Sequence, residues 1–81
     1  MELAWRPNRL GRARMGVVVP RFQHSAVDRN RLQRRLREIL RRETRAALPP
    51  VDLVVRARRD AYDAPFAVLR AELTGAAARL A

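Results

Sequence analysis

Arginines dominate the side chains able to do chemistry in this sequence, and they are spaced to act together. Asn30, Arg34, Arg37, Arg41 and Arg45 recur every three or four residues. A helix through them places all five on one face. Arg31, Arg35 and Arg42 flank that face, and Arg21 stands just ahead of the segment. A guanidinium is planar and permanently charged, presents a fork of donors matched to phosphate oxygens, and stacks on exposed bases. The chemistry indicated is therefore binding of folded RNA. Only Glu38, four residues from Arg34 and from Arg42, can neutralise members of the group. Like charges at this spacing repel by roughly a few tenths of a kcal/mol per pair, which an external anion relieves. A merely solvated face would gain from more interleaved glutamates. Arg29 projects toward the apolar side at the first turn, where it is expected to brace the helix start.

Catalysis by the chain itself has little to stand on. A nuclease needs a general base, metal-holding carboxylates or a nucleophile, and the supply is one histidine, no cysteine and eight scattered acids. His24 sits beside the expected helix cap and reads as a loop or capping residue. Asp60 and Asp63 straddle Tyr62 and could hold a cation, but capping of a helix by Asp63 is the simpler account. No catalytic residue and no metal ligand is assigned. Trp5 and Met15 read as core, whereas Phe22 is divided between core packing and stacking on a base.

Composition points the same way as the arginine face. Eighteen basic residues against eight acidic ones give a formal charge of +10 over 81 residues, a balance that favours polyanionic partners. Every basic residue is arginine. A GC-rich coding sequence would raise arginine content on its own, so position is the stronger guide. Without cysteine there is neither a disulfide framework nor a thiolate zinc site. No apolar run approaches the roughly 20 residues that span a bilayer, and the N-terminal residues lack the basic-then-apolar order of a signal peptide. The expectation is a cytoplasmic protein of one small domain, 1–81, with no membrane association.

The elements that must position the arginines can be read from periodicity. Glu2 to Arg6 reads as a strand, followed at Pro7, Asn8 and Gly11 by residues of a tight connection, which predicts a hairpin. Its second arm is Met15 to Val19, an apolar run suited to cover on both faces and closed by Pro20. From Ser25, with Asp28 three positions on, the spacing predicts a helix whose apolar stripe is Leu32, Leu36, Ile39, Leu40 and Ala47. It should end at Leu48, before Pro49 and Pro50. Val51 to Ala57 alternates as a third strand. Asp63 is expected to cap a last helix with a stripe of Phe66, Leu69, Leu73, Ala76 and Leu80, weakened near Gly75. The order β-β-α-β-α gives an α+β fold: a small sheet, a long basic helix crossing between two strands in a split βαβ, and a C-terminal helix. Its first strand is a bare edge that needs a neighbour.

The stretch Arg29, Asn30, Arg31, Leu32, Gln33, Arg34, Arg35, Leu36, Arg37 and Glu38 resembles the motif helix of the bacterial ribonuclease P protein component. There, Arg-Asn-Arg is followed by further basic residues and an Arg-Glu pair. Arg14 to Val19 is similar to the family's strand before that helix, Leu48 to Arg58 to its strand after it, and Phe66 to Leu73 to its closing helix. The resemblance thus runs through nearly the whole chain in order.

It implies an accessory subunit of an endonuclease. The catalytic ribonuclease P RNA, with its Mg²⁺, removes the 5′ leader from precursor tRNA, and the protein binds that RNA and helps hold the leader. By matching position, Arg29, Asn30, Arg31, Arg34, Arg35 and Arg37 fall in the RNA-binding motif helix with Glu38 as its acidic partner, and Arg21 matches the basic position after the strand. Arg41 and Arg45 join them on the helix wheel. No cofactor is expected on the protein alone, and no protein partner can be inferred. The sequence departs from the family at Arg21 to Ser25, where Lys-Lys-Val-Gly-Lys is usual, and at Gln33, usually lysine. It also starts after the family's first helix and strand, for which a misassigned start codon is the expected reason. The rival function is a structural RNA-binding protein, ribosomal or DNA-architectural in type, with no catalytic role. A membrane-surface helix ranks third, since the strands need its apolar stripe as core.

Overall fold

The computed structural model describes residues 1–80, apart from the side chain of Ala47. Three strands, β1 (Glu2–Pro7), β2 (Arg14–Val18) and β3 (Val51–Arg56), form a sheet in the order β1-β3-β2. The strand with the cleanest alternation takes the centre. Val51, Leu53 and Val55 of β3 are buried on one face, whereas Val54 and Arg56 are exposed on the other. β1 runs antiparallel to it, with Leu3 opposite Val55, and β2 runs parallel, with Val17 opposite the same residue. The hairpin expected between β1 and β2 does not form, because β3 lies between them. The connection Asn8 to Ala13 instead crosses the start of β3, where the Asn8 N–H donates to the Pro50 carbonyl at 3.0 Å. Asn8 then pins the loop: its Nδ2 donates to the Arg12 carbonyl and to Asp52, and its Oδ1 accepts from the Leu10 N–H, each at 3.0 Å. Gly11, at φ +73°, supplies the left-handed residue of that turn.

Helix α1 (Ala26–Ile39) starts as expected, with the Ser25 hydroxyl accepting from the Asp28 N–H at 3.1 Å. Leu32, Leu36, Ile39 and Leu40 are buried along the expected stripe. Burial of each leucine or isoleucine contributes roughly 1.5–3 kcal/mol. Beyond Ile39 the winding changes. Leu40–Thr44 form a π turn and Arg45–Ala47 a 3₁₀ turn before the chain becomes extended at Leu48. The Leu40 carbonyl accepts from the N–H of Arg45, five residues on, and from the Thr44 hydroxyl at 2.9 Å. A side chain inserted into the ladder is a recognised cause of such a change in winding. Thr44, 1 % exposed, occupies the core position after Leu40. The side chain of Ala47, expected to close the stripe, lies outside the described residues.

Helix α2 (Phe66–Leu80) packs beside α1 on the same face of the sheet, burying Leu69, Leu73, Ala76 and Ala77. It continues through Gly75. Two expectations fail at its start. Asp63 ends the preceding 3₁₀ turn, Arg59–Tyr62, and the Val68 and Leu69 N–H groups are taken by the Pro65 carbonyl, so Asp63 does not cap the helix. Phe66, placed in the stripe, is 47 % exposed because it lies on the first turn. Both helices cover one face of the sheet only. Gly16 and Val18 of β2 therefore lie on the open face, opposite the expectation of cover on both sides. Trp5, expected in the core, is 52 % exposed at the β1 edge. Within the sheet, parallel β2 and β3 are joined through α1, the expected crossing helix, but as direct neighbours with no strand between them they form a plain βαβ unit, not a split one.

Candidate RNA interface

Burial of Leu32, Leu36 and Ile39 fixes the rotation of α1 and so determines which arginines reach solvent. Asn30, Gln33, Arg34, Arg37 and Arg41 surround one shallow groove with Glu38. Arg34 and Arg37 have no carboxylate partner among the described residues. Glu38 pairs with Arg41, three residues on, and with Arg42, four residues on; it does not pair with Arg34. Arg70 of α2 holds Glu43. The front face is thus left with an excess of positive charge that only an outside anion can offset.

The three residues of the Arg29–Arg31 motif separate. Arg29 points inward, its Nε donating to the Val19 carbonyl at 2.8 Å and a terminal nitrogen approaching Asn30 Oδ1 at 3.4 Å. It ties the helix start to the end of β2, the bracing role expected of it. Asn30 stands on the front groove. Arg31 turns to the flank with Arg35, beside His24, Asp28, Tyr62 and Asp63.

Arg45 leaves the face to which a uniform wheel assigns it. The π turn absorbs about one residue, or about 100° of α-helical rotation, and carries Arg45 beside Arg12 and Arg14 at the start of β2. Arg14 is engaged there with Asp52, through two hydrogen bonds of 2.8 Å, while Arg6 approaches the same carboxylate at 3.6 Å from the other neighbouring strand. The hydrogen bond from Arg14, then that from Asn8, holds the Asp52 carboxyl well below the usual carboxylate range, and the same pairing raises Arg14.

Arg21 is exposed at the head of the turn leading into α1. That turn is held by backbone at positive φ in Phe22 (48°) and Gln23 (71°), a conformation costing non-glycine residues roughly 1–2 kcal/mol each. Its compensations are local. The His24 N–H donates to the Arg21 carbonyl at 2.8 Å, the Arg59 guanidinium covers the Phe22 ring at 5.3 Å, and His24 stacks on Tyr62. One face of the Phe22 ring, the candidate for stacking on a base, is thus taken by Arg59. The pairing of His24 with Tyr62 joins residues far apart in sequence and had no signal in periodicity. Among the described residues no three His, Asp or Glu side chains converge as a metal site, and no helix is long and apolar enough to cross a membrane.

Sheet, helix and unpaired guanidinium groups together define a small basic α+β protein that presents its excess positive charge along one helix. The sequence profile of the family described as Ribonuclease P matches residues 1–81, and the chain belongs to that family. It is 43 % identical over 76 residues to the ribonuclease P protein component of Chromohalobacter salexigens, covering 93 % of this chain and 59 % of that protein. To the corresponding component of Thermus scotoductus it is 41 % identical over 73 residues, covering 90 % and 42 %. The chain thus spans about half the length of these curated relatives. The structure of the RNase P protein from Thermotoga maritima superposes with a TM-score of 0.84 at 31 % identity, over 98 % of this chain and 76 % of that one. The expected α+β fold agrees with this likeness.

Proposed function

We propose that this chain acts as the protein subunit of ribonuclease P: it binds the catalytic RNA through the front face of α1 and assists removal of the 5′ leader from precursor tRNA. The observation that carries the reading is a helix of this family with Arg34 and Arg37 unpaired beside Asn30 and Arg41. Phosphodiester cleavage is assigned to the RNA and its Mg²⁺ ions. The protein's guanidinium groups offset phosphate repulsion where RNA strands approach, which lowers the metal concentration the RNA needs. Precursor tRNA is the substrate on this reading, and the cytoplasm the compartment.

The RNA-contacting set is Asn30, Arg31, Arg34, Arg35, Arg37 and Arg41 along α1, with Arg21 ahead of it and Arg45 beyond the π turn. Arg29 contributes by fixing the helix start. Adding the chain to a catalytic ribonuclease P RNA should raise precursor cleavage at low Mg²⁺ and change it little at high Mg²⁺. Equal affinity for unrelated structured RNA with no gain in cleavage would assign the chain to structural RNA binding instead.

A further inference from the structure

We propose that the recess between the start of α1 and the Arg59–Tyr62 turn holds one unstacked guanine nucleotide of an RNA strand. The proposal rests on the RNA-binding reading and gives a role to side chains outside the front groove. The His24 imidazole lies flat on the Tyr62 ring, with centroids 3.9 Å apart and planes within 1°. Both rings are held in place. The Tyr62 hydroxyl donates to the Pro20 carbonyl at 2.6 Å, and the left-handed turn at Phe22 and Gln23 positions His24. A fixed aromatic pair at the edge of a basic helix is a platform on which a base can stack.

Charge separates this recess from the other two basic sites. Arg31 and Arg35 are matched here by Asp28 and Asp63, so apart from His24 the recess is close to neutral. The front groove sets Arg34, Arg37 and Arg41 against Glu38 alone, and the cluster beyond the π turn sets Arg12 and Arg45 beside the paired Arg14. Phosphates favour those two sites; a neutral, aromatic-lined recess suits a base.

The two carboxylates differ in engagement. Asp28 lies 3.7 Å from His24 Nδ1, whereas the exposed Asp63 carboxylate has no hydrogen-bond or ion-pair partner among the described residues. Two carboxylate oxygens accept from two parallel N–H donors. Guanine offers that pair at N1 and N2; adenine and cytosine place a ring acceptor beside their amino group, and uracil flanks a single donor with carbonyl oxygens. Asp63 therefore selects guanine, with Arg31 and Arg35 available to its phosphate.

The chain contains one histidine and one tyrosine, so their ring-proton resonances report this recess directly. Proton NMR of the full chain should be followed on titration with GMP, AMP, ribose 5-phosphate, and two pentanucleotides of adenosine with either guanosine or adenosine at the centre. GMP and the guanosine pentamer should move the His24 and Tyr62 signals upfield, with the pentamer binding more tightly. The adenine counterparts should bind about tenfold more weakly. Asp63→Ala should abolish that preference; His24→Ala should weaken GMP about tenfold, and His24→Phe, read at Tyr62, should retain binding. Ribose 5-phosphate reproducing the GMP shift would overturn the base site in favour of an anion site. So would equal response to both pentamers, and tighter binding of free GMP than of the guanosine pentamer would overturn the RNA source. Ribonuclease P RNA that binds without moving His24 or Tyr62 sinks this proposal and leaves the subunit reading standing; failure to bind that RNA at all removes the reading beneath it.

Discussion

Asp52 shows how much one side chain settles in a small sheet. Placed on the central strand, it receives Arg14 from β2, Arg6 from β1 and the Asn8 amide from the loop joining them. One carboxylate thereby fixes the two edge strands and their connection. Because its pKa is lowered in the fold, its contribution is present above the unfolded carboxylate pKa of about 3.9 and is lost as pH falls below that value toward the folded one. Asp52→Asn should accordingly lower the thermal midpoint at pH 7 and narrow its gap from wild type as pH falls from about 4 toward 2. Calorimetry across that range checks it, and a constant gap would show that the charge of Asp52 is not what matters. At the candidate site the residue scale was only partly legible. Arg29 was recognisable as a brace because its helical position faces the apolar side. His24 was not, because its partner Tyr62 arrives from a different turn of the chain.

Elements were more legible than their pairing. Short apolar segments bounded by turn residues located the strands, with clear alternation only in the third, and the apolar stripe located both helices, since each depends on a pattern carried by neighbouring residues. The β1–β3 pairing depends on a strand more than forty residues away, and sequence adjacency wrongly favoured a hairpin. One signal could have helped: Val51, Leu53 and Val55 give β3 a more consistently buried face than either edge strand. The asymmetry between α1 and α2 is also physical. Gly75 was expected to weaken α2, yet the helix runs past it because Leu73, Ala76 and Ala77 hold both sides in the core. A Cβ built at Gly75 meets no atom within 4 Å. Gly75→Ala should therefore stabilise the chain by about 0.5–1 kcal/mol through reduced unfolded-state freedom, raising the thermal midpoint. An unchanged or lower midpoint would show that the site does not tolerate a methyl.

On the scale of the whole molecule, the helices cover one side of the sheet and the arginines are distributed over three sites around α1. That distribution bears on how salt affects binding. Replacing Arg34, Arg37 and Arg41 by alanine should reduce the slope of log affinity against log salt by roughly 0.7 to 0.9 for each phosphate no longer neutralised. Replacing Arg12 and Arg45 should lower the slope by a similar amount per phosphate, because the π turn sets them on a second surface. Salt titrations of the two variants against ribonuclease P RNA test this directly. A slope unmoved by the first set would leave the front face merely solvated, and one unmoved by the second would confine the RNA to the front.

The π turn separates two requirements that a uniform α-helix would tie together. Upstream, rotation is set by Leu32, Leu36 and Ile39; downstream, it is set by Thr44 and the chain's exit at Leu48 toward β3. One residue fewer in the Leu40–Thr44 segment would restore α winding and leave Arg45 near its present angle, about 300° on from Arg41. A one-residue difference in length here is therefore taken up by the winding and leaves the charges beyond the turn at the same angles around the axis. Residues beyond the turn are properly matched between relatives by their angle about the helix, not by their count from Arg29.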